Sequence, residues 1–136
     1  MTLSPPRVYD TFSCWLVAQV RKLDVDASEE PLPLGPFHEV FVFSKVKDVR
    51  TQADGVYCLP KVHNFPAIDA LLQPHSLFQM TISQKRSMRA EWLDQAKRQL
   101  RGGPKRLYFV VPDCIFSSFS LVPGLARDVE QWVLKI

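Results

Sequence analysis

Residues 64–86 read N-F-P-A-I-D-A-L-L-Q-P-H-S-L-F-Q-M-T-I-S-Q-K-R, and the reading of this stretch decides the fold. A lone carboxylate, Asp69, stands inside an apolar run. A turn signal follows at Gln73-Pro74-His75-Ser76, and then a second run, 77–83, with clean alternation. Two short apolar runs around a proline turn predict two strands. Burying an ionised carboxylate among Phe65, Ile68, Leu71 and Leu72 costs several kcal/mol unless something pairs with it. Asp69 must therefore face solvent, take a cationic partner or bind a metal. Along the second run Gln79, Thr81 and Ser83 share one face, while Phe78, Met80 and Ile82 point the other way.

Working outward, residues 87–101 predict a helix with Met88, Trp92, Leu93, Ala96 and Leu100 as its buried stripe. Gly102-Gly103-Pro104 ends it. The run 106–112, R-L-Y-F-V-V-P, is nearly all apolar and suits a central strand covered on both faces. Residues 129–136 fit a strand or a helix. Upstream, 40–46 and 56–59 predict strands, with 67–72 a further strand or an extension. Pro60 and Pro66 point to an edge or an irregular entry. Residues 47–55 form a connection closed by Asp54-Gly55, and the acidic, proline-rich residues 24–36 a long loop. Val8, Phe12, Trp15, Leu16, Val20 and Leu23 recur at near-helical spacing, so 4–22 predicts an amphipathic helix. The whole describes one α/β domain over residues 1–136, a mixed sheet with flanking helices.

The composition of 136 residues, 46% hydrophobic and 23% charged, is that of a globular domain with a single core. No window approaches the roughly 18 apolar residues of a membrane span, and the first residues carry no secretory signal pattern. The three cysteines, Cys14, Cys58 and Cys114, lack C-x-x-C spacing and are odd in number, which argues against a disulfide scaffold or a zinc site. Buried free thiols in a reducing compartment are the expectation. His38, His63 and His75 lack ligand spacing and read as surface or loop residues; the tryptophans and Tyr108 read as core.

Charge is uneven. Between Lys85 and Arg106 eight of the seventeen Lys and Arg residues face only Glu91 and Asp94. Lys85, Arg86, Arg89, Lys97 and Arg101 are the candidates for phosphate contact, and a merely solvated helix face is the competing reading. For chemistry, Asp69 is either a structural cap or a metal ligand. Gln79 and Thr81 occupy the spacing at which a metal nuclease holds an acid and a lysine two residues apart. Here an amide and a hydroxyl stand instead. Lys85, at the strand end, is the candidate replacement cation, and a solvated basic face is the competing reading.

The segments V-H-N-F-P-A-I-D-A-L-L (62–72) and L-F-Q-M-T-I-S (77–83) resemble the C-terminal domains of Crinkler effectors and the related RHS-type proteins. R-L-Y-F-V-V-P (106–112), F-S-S-F (116–119) and V-E-Q-W-V-L-K-I (129–136) are similar to that family too. The resemblance is strong over 57–119 and at the C-terminus, and weaker over 1–56. It implies a restriction-endonuclease-like core of the PD-(D/E)XK type, in the order helix, three strands, helix, strand. It also implies a secreted effector acting in the host nucleus on DNA or on host proteins. A homodimer is a separate expectation for this chain. Asp69 would match the second-strand acid, Gln79 and Thr81 the third-strand acid and lysine, and Asp10 the helix acid. An active form would use Mg2+ held by Asp69, Gln79 and Asp10, with Asp69, Gln79 and Lys85 catalytic. The departures at Gln79 and Thr81 make weak or absent hydrolysis the expectation. An active magnesium-dependent DNA endonuclease and a host-protein platform are the alternatives.

Overall fold

The computed structural model describes residues 17–23, 29–33, 39–61, 68–83 and 90–135. Among these residues eight strands are seen: β1 (Val17–Lys22), β2 (Glu29–Pro33), β3 (Glu39–Phe43), β4 (Val56–Pro60), β5 (Ala70–Leu72), β6 (Ser76–Met80), β7 (Lys105–Val111) and β8 (Val129–Lys135). They form one mixed sheet in the order β2-β1-β8-β7-β6-β5-β4-β3. Helices α1 (Ala90–Lys97) and α2 (Asp113–Phe116) and a 3-10 turn, Val46–Thr51, complete a mixed α/β domain.

Strand β7 lies near the middle and is buried from Leu107 to Val111, as its apolar run requires. It pairs in parallel with β6 and with β8. The parallel β6–β7 connection needs a crossover, and α1 lies within it. Periodicity left 129–136 open; pairing along β7 makes it a strand.

Alternation sorts the sheet into two faces. Leu71, Leu77, Leu107, Phe109 and Val133 pack with Leu93, Ala96 and Leu100 of the α1 region, Phe116, Phe119, and Val46 and Val49 of the 3-10 turn. The opposite face carries Ala70, Phe78, Tyr108, Val110, Trp132 and Leu134, strand residues only among those described. A row of rings crosses it. Phe78 stacks on Tyr108 at 5.3 Å between centroids, and Tyr57 and Trp132 flank that pair at 6.0 and 6.1 Å. Arg106 lies 4.6 Å over the Trp132 ring. Tyr108 and Trp132 are thus core residues as expected, whereas Trp92 is only half-buried.

Four expectations need correction. The predicted N-terminal helix does not reach Lys22, because residues 17–22 form β1 between β2 and β8. Here Val20 enters one core while Arg21 turns to the other face, donating to the Phe116 and Phe119 carbonyls at 2.6 and 2.7 Å. Sheet pairing overrides the near-helical spacing. Residues 4–16 lie outside the described residues. Second, the 24–36 loop contains β2. Pro31 and Pro33 are two apart, so their missing donors fall on one side of an edge strand, and Glu30 and Leu32 carry the ladder. Third, β4 is interior, between β3 and β5, although it ends in Pro60. Fourth, Cys58 is buried but Cys114 is exposed. Burial pushes the Cys58 thiol up to about 11.

Helix α1 ends at Lys97, short of the expected 101. Leu100 N–H donates to the Lys97 carbonyl, tightening the last turn. The chain is then seized by Gln73, 1% exposed, from the β5–β6 turn. Gln73 Nε2 donates to the carbonyls of Gln99 and Val49 at 2.6 and 3.0 Å, and its Oε1 accepts from Arg101 N–H at 2.9 Å. One carboxamide thus ties the hairpin, the end of α1 and the 3-10 turn together. Gly102 packs against Pro74 so closely that a Cβ there would stand 2.9 Å from the proline ring. The 47–55 connection closes at Gly55 in the left-handed region, φ +88°, as the Asp-Gly signal implies.

Candidate functional site

Asp69 stands one residue before β5. Its N–H donates to the Phe78 carbonyl at 2.8 Å, and its Oδ2 accepts from Met80 N–H at 2.7 Å. The carboxylate thereby takes the place of the next ladder carbonyl at the open end of the β5–β6 hairpin. Asp69 is exposed, so its charge keeps most of its hydration while one oxygen serves the backbone.

Gln79 lies elsewhere. It follows Leu77 on the helix-covered face and is 0% exposed, opposite Phe109 in the register. Among the described residues, neither its Oε1 nor its Nε2 has a hydrogen-bond partner. Thr81 is 6% exposed; its Oγ1 donates to the Ser83 carbonyl at 3.0 Å and accepts from Ser83 N–H at 3.2 Å. Gln79 and Thr81 of the polar set are thus turned away from solvent, and of that set Ser83 alone is exposed. Met80 and Ile82 are exposed, at 58% and 86%. The reason is inherited from β6: Leu77 must enter the helix-covered core, and a period of two carries Gln79 and Thr81 in behind it.

Asp69 and Gln79 therefore do not share a solvent-facing cleft. Asp10, Lys85, Arg86 and Arg89 lie outside the described residues. Among the described residues, no group of three or more His, Cys, Asp and Glu side chains is arranged to hold a metal ion.

The two described members of the basic flank are engaged within the chain. Lys97 Nζ lies 2.9 and 3.0 Å from the two Asp128 oxygens and 3.5 Å from Asp94. The Asp128 hydrogen bond is the main cause of the raised Lys97 pKa, and the same bond lowers that of Asp128. Arg101 donates from Nη1 to the Arg50 and Gln52 carbonyls at 2.9 and 2.6 Å, and from Nη2 to Asp54 at 2.6 Å. It clasps the turn after the 3-10 segment. Arg98, beside them, pairs with Asp94 at 2.6 Å. Besides Asp94 on the helix itself, this flank finds acids 31 and 47 residues away in sequence.

His75 lies in the β5–β6 turn with Nδ1 3.2 Å from Ser76 Oγ. An open groove of about 420 Å³ lies between Lys22, Gln131 and the loop at 121–127, and holds none of the candidate residues. No helix among the described residues is long and apolar enough to cross a membrane. No protein-family model matches the chain, and no match was found among curated proteins or solved structures.

Proposed function

We propose that this chain is a Crinkler-type effector domain that acts by binding, with a nuclease-like ancestry and no metal-dependent hydrolysis of its own. The burial of Gln79 carries the reading. A magnesium nuclease needs its third-strand acid and lysine at a solvent-accessible metal, where two carboxylates offset the cation and the lysine meets developing charge. Here the two corresponding side chains are neutral and lie at 0% and 6% exposure. Asp69, the one matching acid among the described residues, has an oxygen committed to a backbone N–H.

Between the two partner classes that the resemblance implies, the arrangement favours a host protein. Phosphate contact by Lys97 and Arg101 would have to compete with Asp128, Asp94 and Asp54 and with two backbone carbonyls. The host nucleus as the place of action rests on the resemblance alone.

The test is supercoiled plasmid incubated with the protein and Mg2+. Unchanged plasmid is expected, whereas nicking that disappears in Asp69→Ala restores the endonuclease reading. The DNA-binding alternative is tested on the same preparation. Affinity that falls steeply with salt, and falls again in Lys97→Glu with Arg101→Glu, would make nucleic acid the partner.

A further inference from the structure

The two outer edges of the sheet are built differently. On β2 the edge is blunted by Pro31 and Pro33, which remove two donors and their capacity to pair with another strand. Strand β3 is the opposite edge, and it contains no proline. Its inner side is fixed by the parallel register with β4, in which Phe41 lies beside Cys58 and Lys61 N–H donates to the Phe43 carbonyl at 2.9 Å. Backbone groups alternate sides along a strand, so the odd residues 39, 41 and 43 pair inward. Val40 and Val42 direct their N–H and C=O outward, where no described strand pairs with them. Their side chains are 59% and 56% exposed.

Charge marks the two ends of this edge with opposite signs. Glu39 opens the strand, and Lys45 follows it in extended backbone, φ −117° and ψ 125°, before the 3-10 turn; both are exposed. A parallel copy would set like charge beside like. An antiparallel copy whose Val42 lies opposite Val42 sets Glu39 of each copy against Lys45 of the other. That register also meets the hydrogen-bonding rule. Val42 exchanges both its backbone bonds with Val42 of the second copy, and Val40 falls opposite Ser44. On the aromatic side of the sheet it extends an apolar strip already formed by Val40, Val42, Tyr57, Leu59 and Leu72.

We infer that β3 is a self-association edge, on which a second copy of this chain adds in antiparallel register centred on Val42, with reciprocal Glu39–Lys45 pairs. The contact is isologous, so it closes as a dimer and does not propagate. One short strand per copy is a small interface, and the dimer is accordingly weak, with a dissociation constant of about 10–100 µM. The inference is independent of the binding reading above.

Sedimentation velocity of the full chain across about a hundredfold range of concentration tests it. The sedimentation coefficient is expected to rise from the monomer to the dimer value. A coefficient that stays monomeric throughout overturns the proposal. In Val42→Pro the lost N–H is an outward one and no intramolecular ladder bond is removed, so a folded monomer at every concentration is expected. Should that variant fail to fold, Val42→Lys makes the same test through an edge charge. Dimerisation unchanged in the folded variant overturns the proposal. Glu39→Lys and Lys45→Glu should each weaken the dimer at least about tenfold, and the double exchange should restore it. Failure of that restoration overturns the charge-paired register.

Discussion

Gln73 and Gln79 are the same side chain, six positions apart on one hairpin, and both are essentially excluded from water. Gln73 makes three hydrogen bonds to backbone groups, in the 3-10 turn and in the stretch that follows α1. Gln79 makes none among the described residues. The difference teaches that burial alone does not say whether a polar group stabilises. At the turn end of the hairpin the carboxamide is a structural joint, satisfied on every side it needs. At the open end it occupies a place that alternation forced into the core, and its desolvation is left uncompensated.

The largest expected effect comes from breaking the satisfied member. Gln73→Met keeps the volume but strands the Val49 and Gln99 carbonyls and the Arg101 N–H, and should lower unfolding free energy by about 3 kcal/mol in urea titration. The mirror substitution should act in the opposite sense. Gln79→Met removes two unpaired polar atoms from the core and should raise stability by about 1 kcal/mol, read as a higher denaturation midpoint at unchanged slope. A loss of stability there would mean that Gln79 has a partner, and would reopen the question of a site around it. Smaller again is Asp69→Ala. It frees the exposed Met80 N–H from its carboxylate and should cost about 0.5–1 kcal/mol, because water can replace the acceptor.

The smallest is a pH effect at the far side of α1. Asp128 is held below the usual carboxylate range by its hydrogen bond with Lys97. Its contribution is therefore fully present above the ordinary aspartate pKa and is lost as pH falls through the lowered, folded-state value. The Asp128→Asn variant should show a flatter melting temperature over that acidic interval and little change at neutral pH.

The hairpin itself was legible in residues 70–80, because two apolar runs around Gln73-Pro74-His75 admit few alternatives. What lay on each side of it was not. The alternation of 77–83 correctly separates Gln79 and Thr81 from Met80 and Ile82, but period two is silent about which set faces inward. That choice is made by α1 crossing over the Leu77 side. The same gap explains the basic flank. Lys97 has Asp94 three residues back on α1, but its nearer acid, Asp128, and the acid of Arg101, Asp54, arrive only through the fold.

The sequence by itself determined the mixed α/β class, the central apolar strand β7 and the β5–β6 turn, since these depend on local pattern and on proline and glycine chemistry. Tertiary structure alone decided that Val17–Lys22 is a strand, that Gln73 is the joint of the domain, and that Asp69 and Gln79 part company at the hairpin's open end. The physical reason is shared by all three. Backbone and amide hydrogen bonds are satisfied by whatever group the fold brings within about 3 Å, and such partners come from far along the chain.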